Sequence, residues 1–405
     1  MRKSEDKRAD VAVVGGGVAG LAAARELARG GLGVVVIDDG GARGACASNA
    51  AAGMLAPQAE ADRADELFEL LCASRDMYTD FAASLREESG IDIELDTTGT
   101  LYLAFTQEDE REIEARLRWQ TRAGLEVERL TAEEARALEP QVSACVRAAL
   151  RFPRDWQVEN RLLVRALRAS GERYGVRVSD GAGAAGVRVV GGVARGVETP
   201  GGFVAAGAVV LAAGAWTSRV RLLASEYEGG AAREESAAHP PVEPVRGQML
   251  CFRQPESSEP FARHVVYSPR GYVVPRRDGR LLAGSTTEHA GFDASVTEGG
   301  ARAIKKGAVE IAPAVASLAL GESWAGLRPR ASDGLPLIGE SAGVKGLFYA
   351  TAYYRNGILL APASGRIVAD LLTRGATNVA PRALTAFSPA RAALDGRVLG
   401  MKSNV

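Results

Sequence analysis

Two glycine clusters and one acid are the parts of this sequence best placed to do chemistry. Gly15-Gly16-Gly17-Val18-Ala19-Gly20 follows the apolar run Ala9–Val14 and precedes Leu21–Arg29, where Leu21, Ala24, Leu27 and Ala28 share one helical face. The run Val34–Ile37 then ends in Asp38. Strand, glycine turn, helix, strand and acid in that order are a dinucleotide-binding fingerprint. Gly15 makes the tight turn, Gly17 lets the backbone approach a pyrophosphate, and Gly20 lets the helix lie close to the sheet. The helix start offers free amides and a positive dipole end to phosphate, and Asp38 offers a carboxylate to ribose hydroxyls. Gly181–Gly186 repeats the spacing, but strand-like segments flank it and no helix follows. One dinucleotide is expected, not two, which argues against a flavin reductase fed by NAD(P)H.

Other chemistries are excluded by composition. There is no G-x-S-x-G, and His239, His264 and His289 stand too far apart for an all-protein zinc site. No metal is expected. Cys46, Cys72, Cys145 and Cys251 form no C-x-x-C pair, so a disulfide scaffold is not expected and a reducing compartment is. All four read as small buried hydrophobes. With 49 Lys+Arg against 50 Asp+Glu, the net charge of -1 provides no basic field for nucleic acid. The charged start followed by Val11–Ala24 imitates a secretory leader, but glycines interrupt it. No run approaches the ~18 apolar residues that a membrane span needs. A cytoplasmic protein without membrane or nucleic-acid partners is expected.

The 405 residues suggest two to three domains. Ala47–Met54 is a run of small residues suited to close backbone approach to a flat ligand. Leu67–Glu88 and Gln107–Thr121 read as amphipathic helices, and Thr131–Leu138 as a shorter one opened by a capping box. Leu101–Phe105 reads as a strand, and Val209–Trp216 as a buried strand running into a glycine turn. Ala224–Pro244 reads as a mobile polar loop. Gly271–Pro275 and Leu281–Gly284 read as a hairpin, and Gly346–Thr351 as a late strand followed by a helix over Ile358–Leu372. Nothing regular is expected beyond about Pro381. Strands of one nucleotide-binding unit thus run from start to end of the chain, so a second domain is inserted into it.

Taken together, Gly15–Gly20 with Asp38, Ala47–Met54, Val209–Trp216, Trp324-Ala325-Gly326-Leu327-Arg328-Pro329 and Tyr354–Pro362 resemble the D-amino-acid oxidase family of FAD enzymes, and within it the glycine oxidases of the thiamine pathway. The resemblance spans roughly Ala9 to Pro389. It implies an α/β fold: a Rossmann-like FAD-binding domain (1–90, 155–240 and 332–388) with an inserted, mostly antiparallel-sheet substrate domain (91–154 and 241–331) and a tail (389–405). It implies non-covalent FAD, a small amino-acid substrate and O2 as oxidant, and it allows a homo-oligomer. No cysteine lies in Trp324–Gly339, where the related sarcosine oxidases attach their flavin.

By the same resemblance, Arg328 holds the substrate carboxylate, Tyr272 lies at the same pocket, and Arg355 stands at substrate. FAD contacts carry over to Gly15, Gly17, Gly20, Asp38, Asp39, Ala47, Ser48, Ala52, Gly53, Met54, Ala184, Tyr353, Tyr354, Arg355, Asn356, Gly357, Ile358 and Leu359. Flavin chemistry takes a hydride equivalent from substrate Cα and leaves the protein little acid–base work. The amides around Gly357 suit the negative charge that develops on the reduced ring. The chain departs from the family at Arg270, where a histidine is usual and which adds charge at the pocket lip. It departs again at Tyr353-Tyr354, which with Met54 and Tyr272 narrows the pocket. Two alternatives remain: a D-amino-acid or imino-acid dehydrogenase feeding a quinone or partner, and a non-catalytic flavin-binding subunit of a larger dehydrogenase.

Overall fold

The computed structural model describes residues 8–40, 45–181, 183–227, 230, 233–234, 239–254 and 260–391. Its first large sheet has ten strands. Arg8–Val14 pairs in parallel with Val34–Ile37 on one side and Gly202–Leu211 on the other, and Arg177–Ser179 extends the parallel set. Gly202–Leu211 changes neighbours midway. Its first half pairs antiparallel with Val193–Thr199, and its last three residues pair in parallel with Leu347–Thr351. The central strands are unbroken apolar runs because both faces are covered. Helices Val18–Arg29, Asn160–Arg173 and Ala361–Arg374 pack on one face. A cluster including Ala12, Val14, Val209, Leu211 and Tyr349 fills the other.

The second sheet takes its eight strands from two stretches of chain, in the spatial order Ala319–Ala331, Val242–Arg253, Arg280–Gly284, Gly271–Pro275, Val265–Ser268, Thr100–Ala104, Ala148–Phe152 and Glu128–Thr131. All neighbours are antiparallel except Val265–Ser268 beside Thr100–Ala104. The helix Glu298–Ile311 covers one face through Ile304, Ala308 and Ile311. The mixed α/β class is the one expected. No helix among the described residues is long and apolar enough to cross a membrane.

Several boundaries differ from the sequence reading. Leu67–Glu88 is two helices, Glu66–Asp76 and Tyr78–Ser89, because the Met77 amide bonds three residues back to Ser74 and the chain turns there. Tyr78 is then buried, with its hydroxyl donating to the Ile358 carbonyl. The last long helix starts at Ala361 rather than Ile358, with a proline in its first turn. Tyr353 forms an isolated bridge with Arg330, and Tyr354–Leu360 is mostly turns, with Tyr354 at φ 49°. Ala224–Pro244 is not all loop: strands Arg221–Ser225, Arg233–Glu234 and Val242–Arg253 occupy parts of it, and 228–229, 231–232 and 235–238 lie outside the described residues. Past Pro381, a 3-10 turn at Leu384–Phe387 buries Phe387 in the core, and Arg391 pairs with Asp333 at 2.6 Å. The remaining tail residues, 392–405, lie outside the described set. The capping box at Thr131 and Glu134 is present, and a second one, unforeseen, opens Gln107–Arg122 through Thr106 and Asp109. Of the cysteines, only Cys251 is buried; Cys46 and Cys72 are half-buried and Cys145 is exposed.

Candidate active site

The glycine turn is packed to contact. Gly15 has φ +110°, and a Cβ there would lie 2.4 Å from the Ala212 carbonyl oxygen. A Cβ on Gly20 would lie 2.0 Å from the Gly15 carbonyl oxygen. Gly20 therefore serves helix-to-turn packing and does not border the cavity described below, which corrects its reading as a cofactor contact. The Asp38 carboxylate accepts from the Gly16 amide at 3.0 Å, and Ser48 Oγ accepts from the Val18 amide at 3.0 Å. Each thus ties a separate strand or helix to the same turn.

One cavity of about 800 Å³ runs from this turn to the second sheet. On the side of the first sheet it is bordered by Gly15, Gly17, Asp38, Asp39 and Ala184. It is further lined by Ala47, Ser48, Ala52, Gly53 and Met54 and by Asn356, Gly357, Ile358 and Leu359. Side chains here are small for a steric reason: a Cβ on Gly326 would lie 2.5 Å from Ala50 Cβ, and one on Gly53 2.0 Å from the Val158 carbonyl oxygen. The long slot, the amide-bearing helix start and the acid at the second strand's end suit FAD. Cys46 borders the slot as a free thiol.

Arg328, Tyr272, Tyr354 and Arg355 meet at the second-sheet side. Arg328 comes from Ala319–Ala331 and donates to the Thr286 carbonyl at 2.9 Å and to Ser285 Oγ at 2.8 Å, with a longer contact to the Arg246 carbonyl at 3.5 Å. Those partners are all neutral, and among the described residues no carboxylate lies within ion-pair distance of Arg328. Burial lowers its guanidinium from the ordinary arginine value, and like charge on Arg355 adds to this. Among the described residues Arg355 also has no ion-pair contact; burial opposes its charge, but Glu60 and the phenols of Tyr267 and Tyr272 leave it raised overall. Tyr272 is buried and stacked on Tyr267, with ring centroids 5.9 Å apart, and its hydroxyl donates to Met249 Sδ at 3.3 Å. Two buried guanidinium groups with a single carboxylate, Glu60, acting on both make this side of the cavity a site for an anion.

Two expectations about this pocket are overturned. Tyr353 borders the cavity, but its ring is not free to narrow it: the side chain belongs to the core cluster, where its hydroxyl bonds Ser364 Oγ. Arg270 adds no charge to the cavity, because it pairs with Asp109 at 2.9 Å and lies over the Phe105 ring. Sequence reasoning also missed Glu60, the cavity acid that acts on Arg328 and Arg355. Glu60 ends a four-residue helix, Pro57–Glu60, whose Gln58 and Ala59 amides donate to the buried Asp155 carboxylate at 3.2 and 2.7 Å. Pro57 just after Met54 was the one local signal for that helix. Gly247 was missed as well: a Cβ there would lie 2.3 Å from three atoms of the Arg328 guanidinium.

Comparison with known proteins agrees with this geometry. The glycine oxidase of Geobacillus kaustophilus is 36% identical over 382 residues, covering 93% of this chain and 97% of that one. The crystal structure of glycine oxidase from the same organism superposes with a TM-score of 0.85 at 35% identity, covering 95% of this chain and 99% of that one. A bifunctional ThiO/ThiG protein of Trichormus variabilis is 33% identical over 90% of this chain and 52% of its own length. The model of the DAO family, described as FAD dependent oxidoreductase, matches residues 10–371. With the fingerprint, the slot and the two-sheet architecture in place across that whole stretch, the chain belongs to the DAO family of FAD-dependent oxidoreductases.

Proposed function

We propose that this chain is an FAD-dependent oxidase that deaminates glycine and other small amines or D-amino acids. With water and O2 as co-reactants, the products are the 2-oxo acid, ammonia or an amine, and hydrogen peroxide. The observation that carries this reading is Arg328, a guanidinium held in direction by neutral acceptors only and facing a cavity, so that its charge awaits an anion.

In this reading Arg328 takes the substrate carboxylate in a two-point contact. Arg355 supplies a second positive charge, and Glu60 limits the net charge of the pocket. The Tyr272 ring, fixed by its stack on Tyr267, forms the pocket wall and orients the substrate without proton transfer. Bound FAD supplies the acceptor for the hydrogen and two electrons that leave Cα and the amine nitrogen. The Gly15–Ala19 turn and Asp38 would hold the dinucleotide, while Ala47–Met54 and Tyr354–Leu359, which line the same cavity, would hold the flavin ring. Amides near Gly357, which borders the cavity, would stabilise the negative charge that develops on the reduced ring. The likeness to ThiO/ThiG supports a place in thiamine synthesis. The test is peroxide release across glycine, sarcosine, D-alanine, D-proline, D-phenylalanine and L-amino acids. Glycine, sarcosine or a small D-amino acid should lead; a lead for D-phenylalanine or any L-amino acid overturns the assignment, and turnover that needs a quinone instead of O2 makes it a dehydrogenase.

A further inference from the structure

The direction of Arg328 is set by a segment outside the cavity wall. Ser285–Glu288 leaves the strand Arg280–Gly284 and runs beside Val242–Arg253 with one backbone pairing: Arg246 and Glu288 exchange amide-to-carbonyl bonds at 2.9 and 3.0 Å. Within that segment the Ser285 hydroxyl and the Thr286 carbonyl receive the Arg328 guanidinium. Opposite stand three consecutive residues. The Arg246 carbonyl and the bare Gly247 backbone face the guanidinium, and the Gln248 amide donates to Thr286 Oγ1 at 3.0 Å.

Glu288 joins the two sides. Its carboxylate accepts from Arg246 Nε at 3.1 Å, from Arg246 Nη2 at 2.5 Å, and through its other oxygen from Gln248 Nε2 at 2.7 Å. Arg246 is buried in this pairing and reaches Asp293 with its remaining nitrogen at 2.7 Å. Glu288 touches neither the cavity nor Arg328. We infer that Glu288 is the positioning residue for Arg328: by locking Arg246 and Gln248 to the Ser285–Glu288 segment, it fixes the acceptors that aim the guanidinium at the substrate carboxylate. A neutral amide in its place keeps the shape but cannot accept from both partners. With its oxygen toward Arg246, its NH2 meets the Gln248 donor, and the segment must shift. This inference rests on the reading of Arg328 as carboxylate anchor.

The experiment is a double-mutant cycle on the FAD-loaded enzyme with Glu288→Gln, Arg328→Ala and the double variant. Acetate, a carboxylate with no amine to oxidise, is titrated while the flavin absorbance is followed, and KM and kcat are measured for glycine. Glu288→Gln should weaken acetate binding and raise the KM for glycine about tenfold with kcat nearly retained, as expected for a displaced but intact anchor. In the Arg328→Ala background the same change should add nothing. Unchanged acetate affinity in Glu288→Gln, or an effect that adds in full to Arg328→Ala, overturns the positioning role. An Arg328→Ala variant that binds acetate as well as the parent overturns the anchor reading instead. If Glu288→Gln does not fold, Glu288→Asp, which keeps the charge on a shorter arm, is put through the same cycle with the same criteria.

Discussion

Replacing Gly247 by alanine is the sharpest perturbation the geometry offers. Gly247 lies in Val242–Arg253, paired with Gly326 of the neighbouring strand, and the Arg328 side chain folds over it. A Cβ there would stand 2.3 Å from Arg328 Cζ, Nη1 and Nη2 alike, where ordinary contact begins near 3.4 Å. The guanidinium must therefore retreat by roughly 1 Å, since repulsion at the shorter distance far exceeds any dispersion gain. Gly247 has no left-handed φ, so alanine is tolerated by the backbone itself. A misplacement of about 1 Å costs on the order of 100-fold in rate, or about 2.7 kcal/mol of transition-state stabilisation. The expected result is a drop of about that size in kcat/KM for glycine and D-alanine. Acetate should bind more weakly in parallel, while turnover of ethylamine, which has no carboxylate, and FAD affinity stay near those of the parent. Equal losses for glycine and ethylamine would mean that Gly247 supports the fold rather than the anchor. Parental kinetics with glycine would show that Arg328 reaches its ligand from another position.

Asp38→Ala removes the acceptor for the Gly16 amide as well as the expected ribose contact. A hydrogen bond to a charged group is worth about 1.5–3 kcal/mol, so the apoprotein should bind FAD roughly 10- to 150-fold more weakly; unchanged affinity removes Asp38 from the site. The flavin should leave the protein on acid precipitation, and colour retained in the pellet would point to a covalent link, with Cys46 in the slot the first place to look. Burial raises Asp155 to about 7, against the pull of the Ala59 amide and Arg75. The folded chain then keeps a proton that the unfolded chain releases from about pH 4 upward. This group's contribution to stability accordingly falls as pH rises from about 4 to 7 and is flat above that. Asp155→Asn should flatten the decline in Tm over that range relative to the parent, and an unchanged slope refutes the raised value.

Local chemistry was enough to recognise the strand–turn–helix–strand unit at Ala9–Asp38. Alternation, helical period and the sterics of glycine all act within a few residues, and each pointed to the same element. The second glycine cluster was rejected on equally local grounds, and Arg177–Ser179 and Gly186–Val190 are indeed strands beside it. Strings such as Trp324–Pro329 and Tyr354–Pro362 were legible because they are long and specific. What the sequence could not supply is side-chain direction. Tyr353 and Tyr354 are neighbours, yet the first turns into the core to reach Ser364 and the second, held at φ 49°, stays at the cavity. Arg270 is drawn away from the pocket by Asp109, 161 residues distant. Glu60 is brought into the pocket because Asp155, 96 residues beyond Ala59, holds the amides of its helix. Gly247 matters only because Arg328 crosses it from the paired strand. Apart from Tyr353, whose partner Ser364 is 11 residues on, the deciding partner lies far along the chain, and burial made its hydrogen bonds and steric contacts outweigh the local preferences that a sequence displays.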